Sequence, residues 1–155
     1  SNKTELVKTV TLHIFDIVKK GVDLIHTQEQ NPIIELFEIK RFVMKHLKDE
    51  KSSPQYQLQK YYPKIYKTLK QKQFKVMQEL IKENLAKGIQ QKLFRATIDI
   101  DFTARIYFHG MVGIKDKDLF PLENNSMNTL TTNHLEYHLR GISTDKGIKE
   151  LEKQL

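Results

Sequence analysis

From Leu6 to Ile25 the chain carries apolar residues at three- and four-residue intervals (Leu6, Val7, Val10, Ile14, Ile17, Val18, Leu24 and Ile25, with Gly21 on the same stripe), and no proline interrupts them. A strand would alternate every second residue. This spacing instead gathers the apolar side chains on one face of a long helix ending near Thr27. Asn2 is placed to cap that helix, and Glu5 can reach back to the cap in the manner of a capping box. A stripe of this length needs other helices to cover it.

The rest of the chain supplies them. Asn31 and Pro32 give a cap followed by the proline favoured in a first helical turn, and Ile33, Leu36, Phe37, Val43, Met44 and Leu47 carry a second helix. Apolar residues surround much of it, which places it centrally. Ser52-Ser53-Pro54 restarts the chain into a short helix bearing Tyr56, Leu58 and Tyr61, which stops before Pro63. The series Ile65, Tyr66, Leu69, Phe74, Met77, Leu80, Ile81 and Leu85 then predicts a helix of about 25 residues, from Pro63 to Gly88. Residues 90–97 connect it to a helix capped by Asp99 and bearing Phe102, Ile106, Tyr107, Phe108, Met111 and Val112. After a turn at residues 120–125, Asn125 or Ser126 caps a helix through Met127, Leu130, His134, Leu135, His138 and Leu139. Thr144 caps a short last helix with Ile148, Leu151 and Leu155. Residues 98–102 alternate like a strand but have no partner strand. The expected fold is all-α, a bundle of about six to seven helices.

With 155 residues and 39% hydrophobic content, residues 1–155 are read as one domain able to bury a core. No apolar run approaches the roughly 20 residues of a membrane span, and the first residues lack a signal-peptide pattern. Cysteine is absent, which excludes disulfides, thiolate metal sites and cysteine nucleophiles and fits a cytoplasmic setting. The net charge of +7 favours anionic partners. Between Lys60 and Lys75, lysines alternate with Tyr61, Tyr62, Tyr66 and Phe74, as in a single-stranded nucleic-acid groove. Helical spacing turns those aromatics inward and the lysines outward, which is equally the pattern of a solvated helix face.

Reactive constellations are missing. There is no glycine-rich phosphate loop, nucleophile elbow or kinase signature. Asp99 and Asp101 read as a cap and a favourable first-turn charge rather than a hydrolytic dyad. His134 and His138 are four apart on one helical face, but no third ligand is spaced to complete a metal site and the zinc-protease glutamate is absent. No enzyme, metal or cofactor is expected.

Four segments carry a family resemblance. Asn2-Lys3-Thr4-Glu5-Leu6 resembles the segment that follows the recognition helix in the tetracycline-repressor (TetR/AcrR) family of bacterial regulators, where it opens the helix joining the DNA-reading head to the body. Leu58-Gln59-Lys60-Tyr61-Tyr62-Pro63 is similar to Asp-Leu-x-Lys-Tyr-x-Pro of one branch, with Gln57 in the place of the common aspartate. Glu83-Asn84-Leu85-Ala86-Lys87-Gly88 resembles that branch's end-of-helix Glu-Asn-x-x-x-Gly. Residues 137–147, Tyr-His-Leu-Arg-Gly-Ile-Ser-Thr-Asp-Lys-Gly, resemble its Arg-Gly-Ile corner followed by Thr-x-Lys-Gly. Capping and proline rules could generate each segment alone; all four occur in the family's order across almost the whole chain.

The resemblance implies the effector-binding and dimerisation body of such a regulator, a homodimer formed through two late helices. These match residues 99–115 and 126–142, with Ala104, Gly110, Gly113, Met127, Leu130, His134 and His138 as candidate interface residues. Small residues at a seam allow close backbone approach, although Gly110 and Gly113 could equally pack within their own chain. The implied effector is an apolar or aromatic small molecule, for which His13, Ile17, Phe37, Met44, Tyr61, Tyr66, Phe74, Met77, Tyr107, Phe108 and Met111 supply rings, thioethers and polar tips. Aromatic and methionine stripes at helical spacing are also ordinary core. Operator DNA would be reached only through a helix-turn-helix head placed before residue 1, with ligand binding shifting the spacing of two heads. The alternative is a self-contained helical carrier of small ligands or lipids, or a protein-interaction module.

Overall fold

A computed structural model describes residues 2–46 and 54–155, and the described residues form seven helices with no strand. They are α1 (Asn2–His26), α2 (Pro32–His46), α3 (Pro54–Tyr61), α4 (Pro63–Gln90), α5 (Ile100–Gly113), α6 (Met127–Ile142) and α7 (Asp145–Gln154). The all-α expectation holds, and the helix starts follow their chemistry. Asn31 accepts from the Ile33 amide at 2.8 Å at the head of α2. Asp99 accepts from the Phe102 amide, Ser126 from Thr129 and Thr144 from Gly147, each satisfying an amide that the first turn leaves free. Of residues 98–102, with their strand-like alternation, Asp99 is instead the cap of α5 and Ile100, Asp101 and Phe102 its first turn, with Ile98 just before the cap. Asn2 stands as the first residue of α1, and Leu47, Ser52 and Ser53 lie outside the described residues.

The core is built around α2 and α4. Ile33, Leu36 and Phe37 of α2 meet Leu80, Ile81 and Leu85 of α4, and Leu135 and Leu139 of α6 and Leu151 of α7 close the cluster. Each such side chain contributes roughly 1.5–3 kcal/mol relative to exposure, so this half of the molecule carries most of the apolar stabilisation. A smaller cluster of Leu58, Ile65 and Leu69, joined by Val7, Phe15, Tyr62 and Tyr66, ties the early turns of α1 to α3 and the start of α4. At about 1.5 Å per residue α4 is long enough to serve both clusters.

The turn after α4 fastens the two halves of the sequence together. Lys92 adopts φ 62°, its amide bonds to Ile89 O and the Leu93 amide to Gly88 O, the paired bonds of a Schellman end. Leu93 and Phe94 then plug the core beside the α6–α7 corner. The Arg95 amide donates to Ile142 O at 2.8 Å, the Thr144 amide to Leu93 O at 2.9 Å, and the Thr144 hydroxyl to Lys92 O at 2.7 Å. No helix among the described residues is long and apolar enough to cross a membrane.

Candidate functional site

The polar centre of the molecule lies where the end of α1, the start of α2 and the middle of α4 converge. Glu35 is buried in the first turn of α2, within a helix whose other inward residues are apolar. One of its carboxylate oxygens accepts from Asn84 Nδ2 at 2.6 Å, and the other lies 2.5 Å from His26 Nδ1. Asn84, fully buried on α4, also donates to Pro32 O at 2.9 Å. The second ring nitrogen of His26 lies 2.5 Å from Glu83 Oε2, and Lys87 donates to Gln30 O at 3.0 Å. Partial burial of His26 disfavours its charge, and the hydrogen bonds and charges of Glu35 and Glu83 more than reverse this, leaving its pKa above the ordinary imidazole value.

A cleft of about 110 Å³ opens beside this cluster, lined by Lys19, Asp23, His26, Val76, Glu79, Leu80 and Glu83. It is smaller than the roughly 300 Å³ at which drug-sized ligand pockets begin, and its lining holds no hydroxyl or thiol nucleophile. The polar cluster beside it ties α1, α2 and α4 together. Among the described residues no group of three or more histidine, cysteine or acidic side chains is placed to hold a metal ion.

The residues nominated for an effector pocket are distributed over several surroundings. Phe108 is buried and its ring meets Phe74 edge-on at 5.2 Å, with the Arg105 guanidinium over the Phe74 ring. Met77 and Tyr107 pack against the main core beside them, and Met111 is half-buried one turn further along α5. Phe74 and Phe108 meet across α4 and α5, whereas the Tyr107 ring lies against the histidines of α6. Phe37 belongs to the core, Tyr66 to the smaller cluster, and Met44 is half-buried near the end of α2. His13, Ile17 and Tyr61 face solvent, because α1 turns Val7, Phe15, Val18 and Val22 inward and so carries Ile17 outward.

The nominated seam residues are likewise divided. Ala104, Leu130 and His138 are buried by their own chain, and Met127 and His134 are half-buried. Gly110 is covered from within: a Cβ there would stand 2.3 Å from His134 Nε2, so the small residue serves the α5–α6 contact. Gly113 has open space around it. Tyr107 stacks on His134 at 4.8 Å and tilts against His138 at 4.3 Å. Burial drives His134 below the ordinary imidazole value, and burial, reinforced by His134, takes His138 down to about 3; burial pushes the Tyr107 phenol up. The outward side chains of the late helices are others: Phe102, Ile106 and His109 on α5, sharing a face with Gly113, and Tyr137 on α6.

Sequence periodicity passed over the His26–Glu35–Glu83–Asn84 cluster. Its signal was nevertheless present, since Asn84 sits between Ile81 and Leu85 on the inward stripe of α4, where a polar residue must find a buried partner. Two glycines also have local work. Gly88 admits the Phe94 ring, and Gly147 admits the Leu93 carbonyl, which a Cβ would approach to 2.1 Å. No family model matches this chain, and neither do any curated protein or solved structure.

Proposed function

We propose that this chain is the sensory and dimerisation body of a TetR/AcrR-type transcriptional regulator, a non-enzymatic homodimer whose helical interior takes an apolar or aromatic effector. The observation that carries this reading is the outward face of the two late helices. Phe102, Ile106 and Tyr137 are 60%, 50% and 83% exposed, with His109 on the same outward face of α5, while α6 turns His134 and His138 inward against Tyr107. Large apolar side chains turned outward on both late helices suit a pair of helices that meets a second copy. The order of the four family-like segments supports the same assignment. Of their residues, Asn84, Gly88 and Gly147 hold close contacts within the body.

In this reading the effector lies along the α4–α5 seam, among Phe74, Met77, Phe108 and Met111. These side chains offer ring faces and pliable thioethers and no buried charge. Operator contact belongs to a helix-turn-helix head preceding α1, and ligand binding changes operator affinity by favouring one arrangement of the body over another.

Sedimentation of the chain at micromolar concentration tests the assignment. The expected species is a dimer that Ile106→Arg converts to a folded monomer, with unchanged helical circular dichroism. A wild-type monomer, or a dimer indifferent to Ile106→Arg and Phe102→Arg, overturns the late-helix interface.

A further inference from the structure

His26 ends α1 with both ring nitrogens committed to carboxylates, Nδ1 to Glu35 and Nε2 to Glu83, each at 2.5 Å. A neutral imidazole has a single N–H, so in that form one of these contacts would set a nitrogen lone pair against a carboxylate oxygen. Only the imidazolium donates to both. The helix ends favour the same charges, with His26 in the last turn of α1 and Glu35 in the first turn of α2.

The surrounding charges are accounted for from each helix. On α1, Lys19 and Asp23 pair with each other at 2.7 Å. On α2, Glu35 is fixed by Asn84 as well as by His26. On α4, Glu79 and Glu83 line the same cleft, and Lys87 is held by Gln30 O. Glu35 is therefore the anchored partner and Glu83, 65% exposed, the one that can move away.

Along the rest of its length this helix is held by the partly buried Val7, Phe15, Val18 and Ile25. Val22 alone is buried among the residues of α1, while Leu6, Val10, Ile14, Ile17 and Leu24 are exposed. The connection that follows includes Glu29 at φ 50°, a tight left-handed turn that sets where α1 stands against α2.

We propose that His26 is a proton-operated latch: as imidazolium it ties the last turn of α1 to α2 and α4, and on losing its proton it frees that turn from Glu83 while Glu35 stays with Asn84. The latched state binds one more proton than the opened state, so rising pH releases it. The effect begins near the ordinary imidazole value and is complete once the pH passes the higher value of the latched ring. The device is independent of the regulator reading, since it controls the placement of α1 whatever α1 is joined to.

Imidazole ¹⁵N and ¹³C spectra of the whole chain, recorded with amide hydrogen exchange across a pH series, test the latch. Both ring nitrogens of His26 are expected to be protonated at neutral pH and to titrate above ordinary histidine. Protection at residues 22–27 should fall by up to about tenfold per pH unit within the titration window, after correction for intrinsic exchange. Glu83→Gln, at an exposed site, should keep the fold, lower the His26 midpoint and narrow that window. A singly protonated His26 ring at neutral pH overturns the proposal. So does protection at residues 22–27 that is flat through the His26 titration, or a midpoint that Glu83→Gln leaves unmoved.

Discussion

Asn84 donates to the buried carboxylate of Glu35 at 2.6 Å across 49 residues of sequence, and the same amide group donates to Pro32 O at 2.9 Å. One side chain on α4 thus holds both the backbone and the buried charge at the start of α2. Removing it leaves Glu35 with His26 as its remaining partner and the Pro32 carbonyl without this donor. Asn84→Ala is expected to cost about 2–3 kcal/mol, the scale of an unsatisfied buried polar group. Asn84→Asp should cost more, since it sets a second carboxylate against the first. Urea unfolding checks both; an Asn84→Ala variant within 0.5 kcal/mol of wild type, roughly the spread of surface substitutions, would contradict this role.

Two glycine exchanges should move stability in opposite directions. A Cβ at Gly147 would come within 2.1 Å of Leu93 O and 2.9 Å of Ser143 Cβ, and the first of these is backbone that cannot swing aside. Gly147→Ala should therefore destabilise by about 2–4 kcal/mol despite the better helix propensity of alanine. Lys92, by contrast, holds φ 62° at a helix end where glycine is at home. Lys92→Gly should stabilise by about 0.5–1 kcal/mol, because the carbonyl that accepts from Thr144 is kept and the left-handed strain is removed. Thermal melts of the two variants beside wild type decide the signs.

The same contrast explains what the sequence made legible. Helix boundaries followed from local chemistry, with Asn31, Asp99, Ser126 and Thr144 capping as their positions implied. The central place of α2 followed from apolar residues around its circumference, because such a helix can only be covered on several sides. Side-chain placement beyond the helix faces did not follow. Ile17 belongs to the same periodic stripe as Val18 but faces solvent, since periodicity gives a stripe wider than the contact made with α2 and α4. Gly110 could be read as an intermolecular seam only while the position of His134, 24 residues later, was unknown. The His26 cluster was hidden for the same reason, as its members are 9 and 57 residues apart in sequence.

Lys115 follows the end of α5, and burial lowers its pKa to about 8. The unfolded chain binds its proton more tightly than the folded chain does, so this group disfavours folding at neutral pH. That penalty fades as pH rises from about 8 towards the ordinary lysine range. Lys115→Met, which keeps the aliphatic stem of this half-buried side chain and removes the charge, should stabilise at pH 7. The gain should shrink when unfolding is measured near the top of that pH window. A destabilised Lys115→Met protein would mean that the ammonium is better solvated than its surroundings imply.

The histidines give the pH profile two limbs of opposite sign. His138 has its pKa lowered to about 3, so between about pH 6.5 and that value the unfolded chain takes up a proton that the folded chain refuses. Stability from this group is complete above the ordinary imidazole value and is lost on acidification, by up to about 1.4 kcal/mol per pH unit. His134 adds to the same limb, its value being lowered by burial. His26 acts the other way: its raised value makes its contribution complete below the ordinary imidazole value and lost as pH rises through the latched one. Urea titrations across this range should show wild-type stability falling on both sides of a maximum near the ordinary imidazole value. His138→Gln should make the acid side alone less steep, with His134 supplying what remains, because a neutral amide in that position takes no proton, and His26→Gln should flatten the alkaline side alone. If His138→Gln left the acid limb as steep as in wild type, the stack of Tyr107, His134 and His138 would not be the site that acid opens first.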